Sequence, residues 1–306
     1  MKFEILINEQ FSSCTIDSTL SPVENKKLLS IVNDYEDGKW KDAKFQNFIW
    51  NNIKETALSY KERQSLALDG EDSVLTQAAA NLRLSDSPDD IGKGSEISEI
   101  FLYGIMKNHY GALPIVPKIF YKQNSQDNAK GADSVHIVIE GEDSFSIWFG
   151  ESKFYNSVEN ARFDEIISSV KDSLTLKKIK KENSLITNLS DINDFEQISP
   201  ELRKRIVSFL SNDTSVDLIK PILNIPILIL FQCAITNGTT SFTEEYKNQI
   251  IEHHKERATN YFRKQIIKCT DVHMYSEIKF HLIFFPVPEK KAIVDKFIAK
   301  AKVYRS

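Results

Sequence analysis

The sequence predicts an α/β protein, a mixed sheet flanked by helices and preceded by a mostly helical N-terminal extension. Three observations carry that prediction. Residues 131–155 (GADSVHIVIEGEDSFSIWFGESKFY) hold two alternating apolar runs around Gly141-Glu142-Asp143, the pattern of a β-hairpin. Residues 221–236 form a near-continuous apolar run, as expected of a central strand buried on both faces. Around these runs, apolar residues recur at the three- and four-residue spacing of amphipathic helices.

Taken in order, residues 2–8 (KFEILIN) alternate as a strand. Ser21-Pro22-x-Glu24 reads as an N-cap with proline at the first helical position, opening a helix to residue 35. Asp37-Gly38 breaks it. A second helix from residue 41 sets Phe45, Phe48, Ile49, Ile53 and Ala57 on one face. The aromatic-rich stretch from Trp40 to Trp50 suits core, and it is also, with the helical region before residue 90, a candidate partner surface. Asp69-Gly70 and the polar segment 84–94 are punctuation, and the latter divides an N-terminal region, 1–90, from a main domain, 91–306.

Residues 95–110 (SEISEIFLYGIMKNHY) follow as a helix, with Ser95 or Ser98 at its N-cap. Residues 113–122 read as a strand whose prolines suit an edge, and 123–130 as a polar loop before the hairpin. A helix over 157–174, a lysine-rich run at 177–181, a polar segment over 183–199 and a short helix over 200–210 come next. The KKIKK run suits a solvated helix face, with a phosphate contact as the alternative. After the buried strand, residues 243–268 form a long helix, 276–287 a strand and 288–304 a final helix. His253 and His254 are adjacent, so on a helix they diverge by about 100° and make a poor metal pair.

The 306 residues carry 39 basic and 43 acidic side chains, a net charge of −4 that argues against a strongly basic nucleic-acid coat. Cys14, Cys233 and Cys269 are widely spaced and read as reduced thiols. The apolar run at 222–235 contains Asn224, Pro226 and Gln232 and is too short to span a bilayer. A cytoplasmic protein is expected. No Walker A pattern, zinc cluster or Ser-His-Asp arrangement presents itself.

Chemistry concentrates at one end of the hairpin. Val135, Ile137 and Ile139 share a face of its first strand, and Phe145, Ile147 and Phe149 a face of its second. Parity extends the first face to Asp133 and the second to Glu151 and Lys153. Asp133 and Glu151 are equidistant from Glu142, so they face each other, with Cβ atoms about 4.5–5.5 Å apart. Two like charges that close need compensation, which a hard divalent cation, Mg²⁺ or Mn²⁺, supplies. The plain alternative is a set of strand-end charges in solvent. Glu99, beside Leu102, Tyr103 and Met106 on the preceding helix, joins as a further carboxylate if that helix abuts the hairpin, and Glu96 is its competitor.

An acid-bearing helix, an Asp on one strand and Glu-x-Lys on the next resemble the PD-(D/E)xK nuclease superfamily through Glu99, Asp133, Glu151 and Lys153. Ala132 stands where that pattern has proline. More narrowly, SEIFLYGIM, GADSVHI and WFGESKFY, in that order, are similar to the HamA family, the nuclease component of Hachiman anti-phage defence. The resemblance implies a restriction-endonuclease-like core and cleavage of DNA dependent on a divalent metal. It further implies a helicase-like ATPase partner of HamB type. Asp133, Glu151, Glu99 and the main-chain carbonyl of Ser152 would hold the metal, and Lys153 would face the developing charge. The alternative is a catalytically inert, nuclease-shaped subunit that binds DNA and a helicase.

Overall fold

The computed structural model describes residues 3–83, 94–113, 116–123, 131–142, 144–188, 198–211 and 213–306. Strand β1 (Glu4–Gln10), the single turn α1 (Phe11–Cys14) and strand β2 (Lys26–Val32) open the chain. The strand at β2 corrects the helix expected over 22–35. Residues Leu28 to Val32 are all buried, and the segment pairs on both edges, which a helix with one apolar stripe could not satisfy. The Ser-Pro-x-Glu signal is local, and distant strand pairing overrides it. Asp37 and Gly38 do not end a helix either. Both have positive φ and form the two-residue turn of a small hairpin, β3 (Tyr35–Glu36) with β4 (Lys39–Trp40).

Helix α2 (Asp42–Ala57) matches its periodicity, and Phe45, Phe48, Ile49, Ile53 and Ala57 are all buried. Phe45, Phe48 and Trp50 lie in the core, as the plainer reading of the aromatic stretch expects, and Trp40 is partly buried against it. Asp69-Gly70 separates α3 (Tyr60–Ala67) from α4 (Glu71–Ala80). Residues 84–93 of the expected loop lie outside the described residues. Helix α5 (Ser95–His109) follows as expected, but Gly94 is its N-cap, and the Ser98 hydroxyl donates instead to the Ser95 carbonyl. Among the described residues the strand expected over 113–122 reduces to one bridge, Leu113 to Ile137, followed by helix α6 (Lys118–Gln123). Pro114 and Pro117 lack the N–H groups a ladder needs, and Pro117 is set for a helix start. The loop expected next lies, over 124–130, outside the described residues.

The hairpin forms as β5 (Ser134–Ile139) and β6 (Phe145–Tyr155), in the register centred on Glu142: Ser134 faces Gly150 and Ile139 faces Phe145. Then come α7 (Asn160–Ser173), α8 (Leu176–Asn188), α9 (Pro200–Phe209) and α10 (Val216–Ile219). The polar segment at 183–199 is thus helical at its start, and residues 189–197 lie outside the described residues. Strand β7 (Leu223–Gln232), α11 (Ala234–Gly238), α12 (Glu244–Cys269), β8 (Lys279–Val287) and α13 (Lys290–Arg305) complete the chain.

Among the described residues the main sheet has the order β1-β2-β8-β7-β6-β5. Strands β2, β8, β7 and β6 run parallel, with antiparallel β1 and β5 at the edges. The N-terminal region therefore contributes two strands to the same sheet as the hairpin. Alternation sorts the central strands between two cores. Ile227, Ile229 and Phe284 meet α7 and α12, whereas Leu228, Leu230 and Phe285 meet α2, α5 and α13. Helices thus cover both faces, as parallel strands require. Among the described residues no helix is long and apolar enough to cross a membrane.

Candidate active site

The register places Asp133 directly across from Glu151, one step beyond the Ser134–Gly150 pair. The Asp133 N–H donates to the Gly150 carbonyl at 2.8 Å. Its carboxylate, however, leaves the face that parity assigns. Oδ2 accepts the Ser152 N–H at 3.0 Å and lies 3.4 Å from the Ser152 hydroxyl, which itself meets the Ser98 hydroxyl of α5 at 3.2 Å. Asp133 stands just outside β5, where no ladder holds the alternation, and an available N–H captures the carboxylate.

Glu151 keeps its parity and therefore faces the other way. It is 3% exposed under α7, and its Oε2 accepts the Ser169 hydroxyl at 2.9 Å. The three carboxylates consequently do not converge as expected. Among the described residues no group of three or more His, Cys, Asp or Glu is placed to hold a metal ion. Asp133 and Glu99 are brought together instead. Both line a cleft of about 800 Å³ at the C-terminal end of β6, whose walls include Ser95, Ser152, Lys153 and Arg162. Both also line a chamber of about 10 Å³ behind it, with Tyr103, Lys118 and Ser134. Glu99 is 8% exposed, and Glu96 instead accepts the Arg83 N–H at 2.7 Å.

Lys153 is half-buried in the cleft wall, and its ammonium has no hydrogen bond or ion pair among the described residues. Two carboxylates and a lysine on one water-accessible cleft fit a hard cation. Mg²⁺ typically takes one or two carboxylates and keeps several waters for substrate phosphate to replace.

The turn that carries Asp133 is braced from behind. Glu182 of α8 accepts the Ala132 N–H through Oε1 at 3.0 Å and pairs through Oε2 with Lys118 of α6 at 2.7 Å. Side-chain exposure is 4% for Lys118 and 1% for Glu182, so this is an interior ion pair. A Cβ on Gly131 would fall on Glu182 Oε1, which explains glycine there. Sequence reading missed Glu182. The available signal was Ile179, Glu182 and Ile186 at helical spacing, all of them buried, while Lys177 stays exposed.

The histidine pair serves the interior. His254 is buried, its Nδ1 2.6 Å from the Ser30 hydroxyl, and burial holds its pKa well below the usual histidine value. Cys14, Cys233 and Cys269 are buried free thiols. A family model described as HamA matches residues 7–301 of the chain, and no curated protein matches it.

Proposed function

The chain belongs to the HamA family, whose members are components of Hachiman anti-phage defence, and on that premise we propose that it is a divalent-metal-dependent DNA nuclease. One observation carries the reading. Asp133, across the strand pair from Glu151, shares a cleft with Glu99 and with the Lys153 ammonium, which has no partner among the described residues. It supports the reading because three of the four residues that match the PD-(D/E)xK pattern, Glu99, Asp133 and Lys153, share the carboxyl end of a parallel strand, where open α/β sheets place their sites.

Asp133 and Glu99 would hold Mg²⁺ or Mn²⁺ in the cleft, whereas Glu151 and the Ser152 main-chain carbonyl, the further donors the resemblance implies, would join them only once Glu151 leaves Ser169 and turns out from beneath α7. When bound, the ion polarises the scissile phosphate and acidifies a water. The Ser152 N–H fixes the Asp133 carboxylate, and the Ser169 hydroxyl fixes that of Glu151. Lys153 orients the attacking water and stabilises negative charge developing on the phosphoryl oxygens. The partner is a helicase-like ATPase of HamB type encoded beside the gene. A net charge of −4 gives the free chain little general pull on DNA, which suits a nuclease that must be delivered and restrained.

The burial of Glu151 beneath α7 favours a second reading, a nuclease-shaped subunit that binds DNA and its partner without cutting. Plasmid and linear DNA, incubated with the protein alone and with the ATPase, separate the two. Cleavage that needs Mg²⁺ and stops with EDTA or in Lys153→Ala supports the nuclease. DNA binding without cleavage under every condition, including with ATP, establishes the binding-only subunit.

A further inference from the structure

The proposed chemistry uses Lys153, but two more cations share its cleft. Arg162, at the start of α7, and Lys290, at the start of α13, approach the end of β6 from opposite layers of helices. Both are tied to the residues that follow Lys153. The Lys290 ammonium donates to the Phe154 carbonyl at 2.6 Å and lies 5.1 Å from the centre of the Phe154 ring. The Tyr155 hydroxyl donates to the Arg162 carbonyl at 3.3 Å. Three successive positions of one strand, 153, 154 and 155, thus carry or anchor three cations.

None of the three has a carboxylate partner among the described residues, although Glu99, Asp133, Glu165 and Asp295 line the same cleft. Lys291 is different, since Asp295 takes its ammonium. Burial, and then the Arg162 charge, hold the Lys290 pKa below the usual lysine value. Two like charges kept together without an acid between them call for an anion.

We propose that Arg162 and Lys290 form a phosphate subsite beside Lys153, which grips the backbone of a nucleic-acid strand next to the phosphate presented for cleavage. The inference rests on the nuclease reading for its substrate class, and it assigns the grip to residues outside the Asp-Glu-Lys set. Arg162 offers a planar fork to phosphate oxygens, whereas Lys290, held at Phe154, offers a fixed point charge.

The test is binding of a fluorescein-labelled DNA duplex in EDTA, followed by anisotropy across a salt series, so that no cleavage is required. Arg162→Gln and Lys290→Gln should each lower the slope of log affinity against log salt by about 0.9, the value of one lost phosphate contact. Arg162→Lys and Lys290→Arg should restore it. Lys279→Gln, an exposed charge at the opposite end of β8, should leave the slope nearly unchanged. Melting curves matching the parent exclude misfolding, and the charge-retaining variants serve as the folded reference otherwise. Parental slopes in both Gln variants, or a parent that binds no duplex at low salt, overturn the subsite. If the parent binds but never cleaves with Mg²⁺, the nuclease reading fails while the slope changes still establish the grip.

Discussion

Lys118 and Lys153 line the two compartments that meet at Asp133, and their charges meet opposite fates. Lys118 faces the small inner chamber and is locked to Glu182 at 2.7 Å, out of water. Lys153 faces the outer cleft with no acid attached among the described residues. An interior charge must be matched on the spot, because an unpaired buried ion costs several kcal/mol. A cleft charge keeps its hydration and stays available to a ligand. Lys26 shows a third solution. It is fully buried with no carboxylate partner among the described residues, its ammonium 2.8 Å from Asn25 Oδ1 and 4.7 Å from the centre of the Tyr275 ring. There, burial pushes its pKa down to about 7.

The hardest blow to this contrast is Glu182→Ala, which strands the Lys118 charge and should cost about 3–5 kcal/mol in urea unfolding. Lys118→Met with Glu182→Leu should recover much of that loss. A single variant as stable as the parent would show that the pair is not an interior brace. On the cleft side, Lys153→Ala should leave the unfolding midpoint in place while cutting DNA cleavage by about 10²–10³-fold, or about 2.7–4 kcal/mol. Glu151→Ala and Glu99→Ala in the same assay report which face of β6 does the work; parental cleavage by either removes that residue from the site.

Gly131→Ala comes next. Its Cβ needs the space of Glu182 Oε1, so the turn must shift, at about 1–3 kcal/mol. Calorimetry of Mn²⁺ binding should show the same variant weakened, since the shift moves Asp133; unchanged affinity would separate the brace from the metal. Lys26 tests the same contrast through pH. Unfolded, it holds its proton to about 10.5, whereas folded it releases it above about 7. Across that window the unfolded state binds more protons, so parental stability should rise with pH. Lys26→Met should flatten the rise and gain most near pH 7 and below. Parallel pH–stability curves for the two proteins would refute the assignment.

The hairpin register was legible because alternation and a central turn fix it together, and Asp133 does stand across from Glu151. The direction of the Asp133 carboxylate was not, since parity lapses one residue outside the strand. Lys118 and Glu182 belong to helices far apart in the chain, and no local pattern announces their meeting. The same limit hid β2, whose strand character depends on pairing with β8 near the other end. The residues 113–122 misled differently, since an apolar run with two prolines suits an edge strand as well as a helix start.

The pairing of Lys26 with Phe280 has a consequence for synthesis. The middle of the sheet closes only after β8 has been made, and contacts between such distant segments form slowly because loop closure comes first. A partly translated chain already carries Asp133, Glu151 and Lys153, yet it lacks β8, the parallel neighbour of both β2 and β7. Lys290 and α13 emerge later still. The order of translation therefore withholds the finished cleft until the rest of the described fold is available, so an unfinished chain on the ribosome presents the residues without the site.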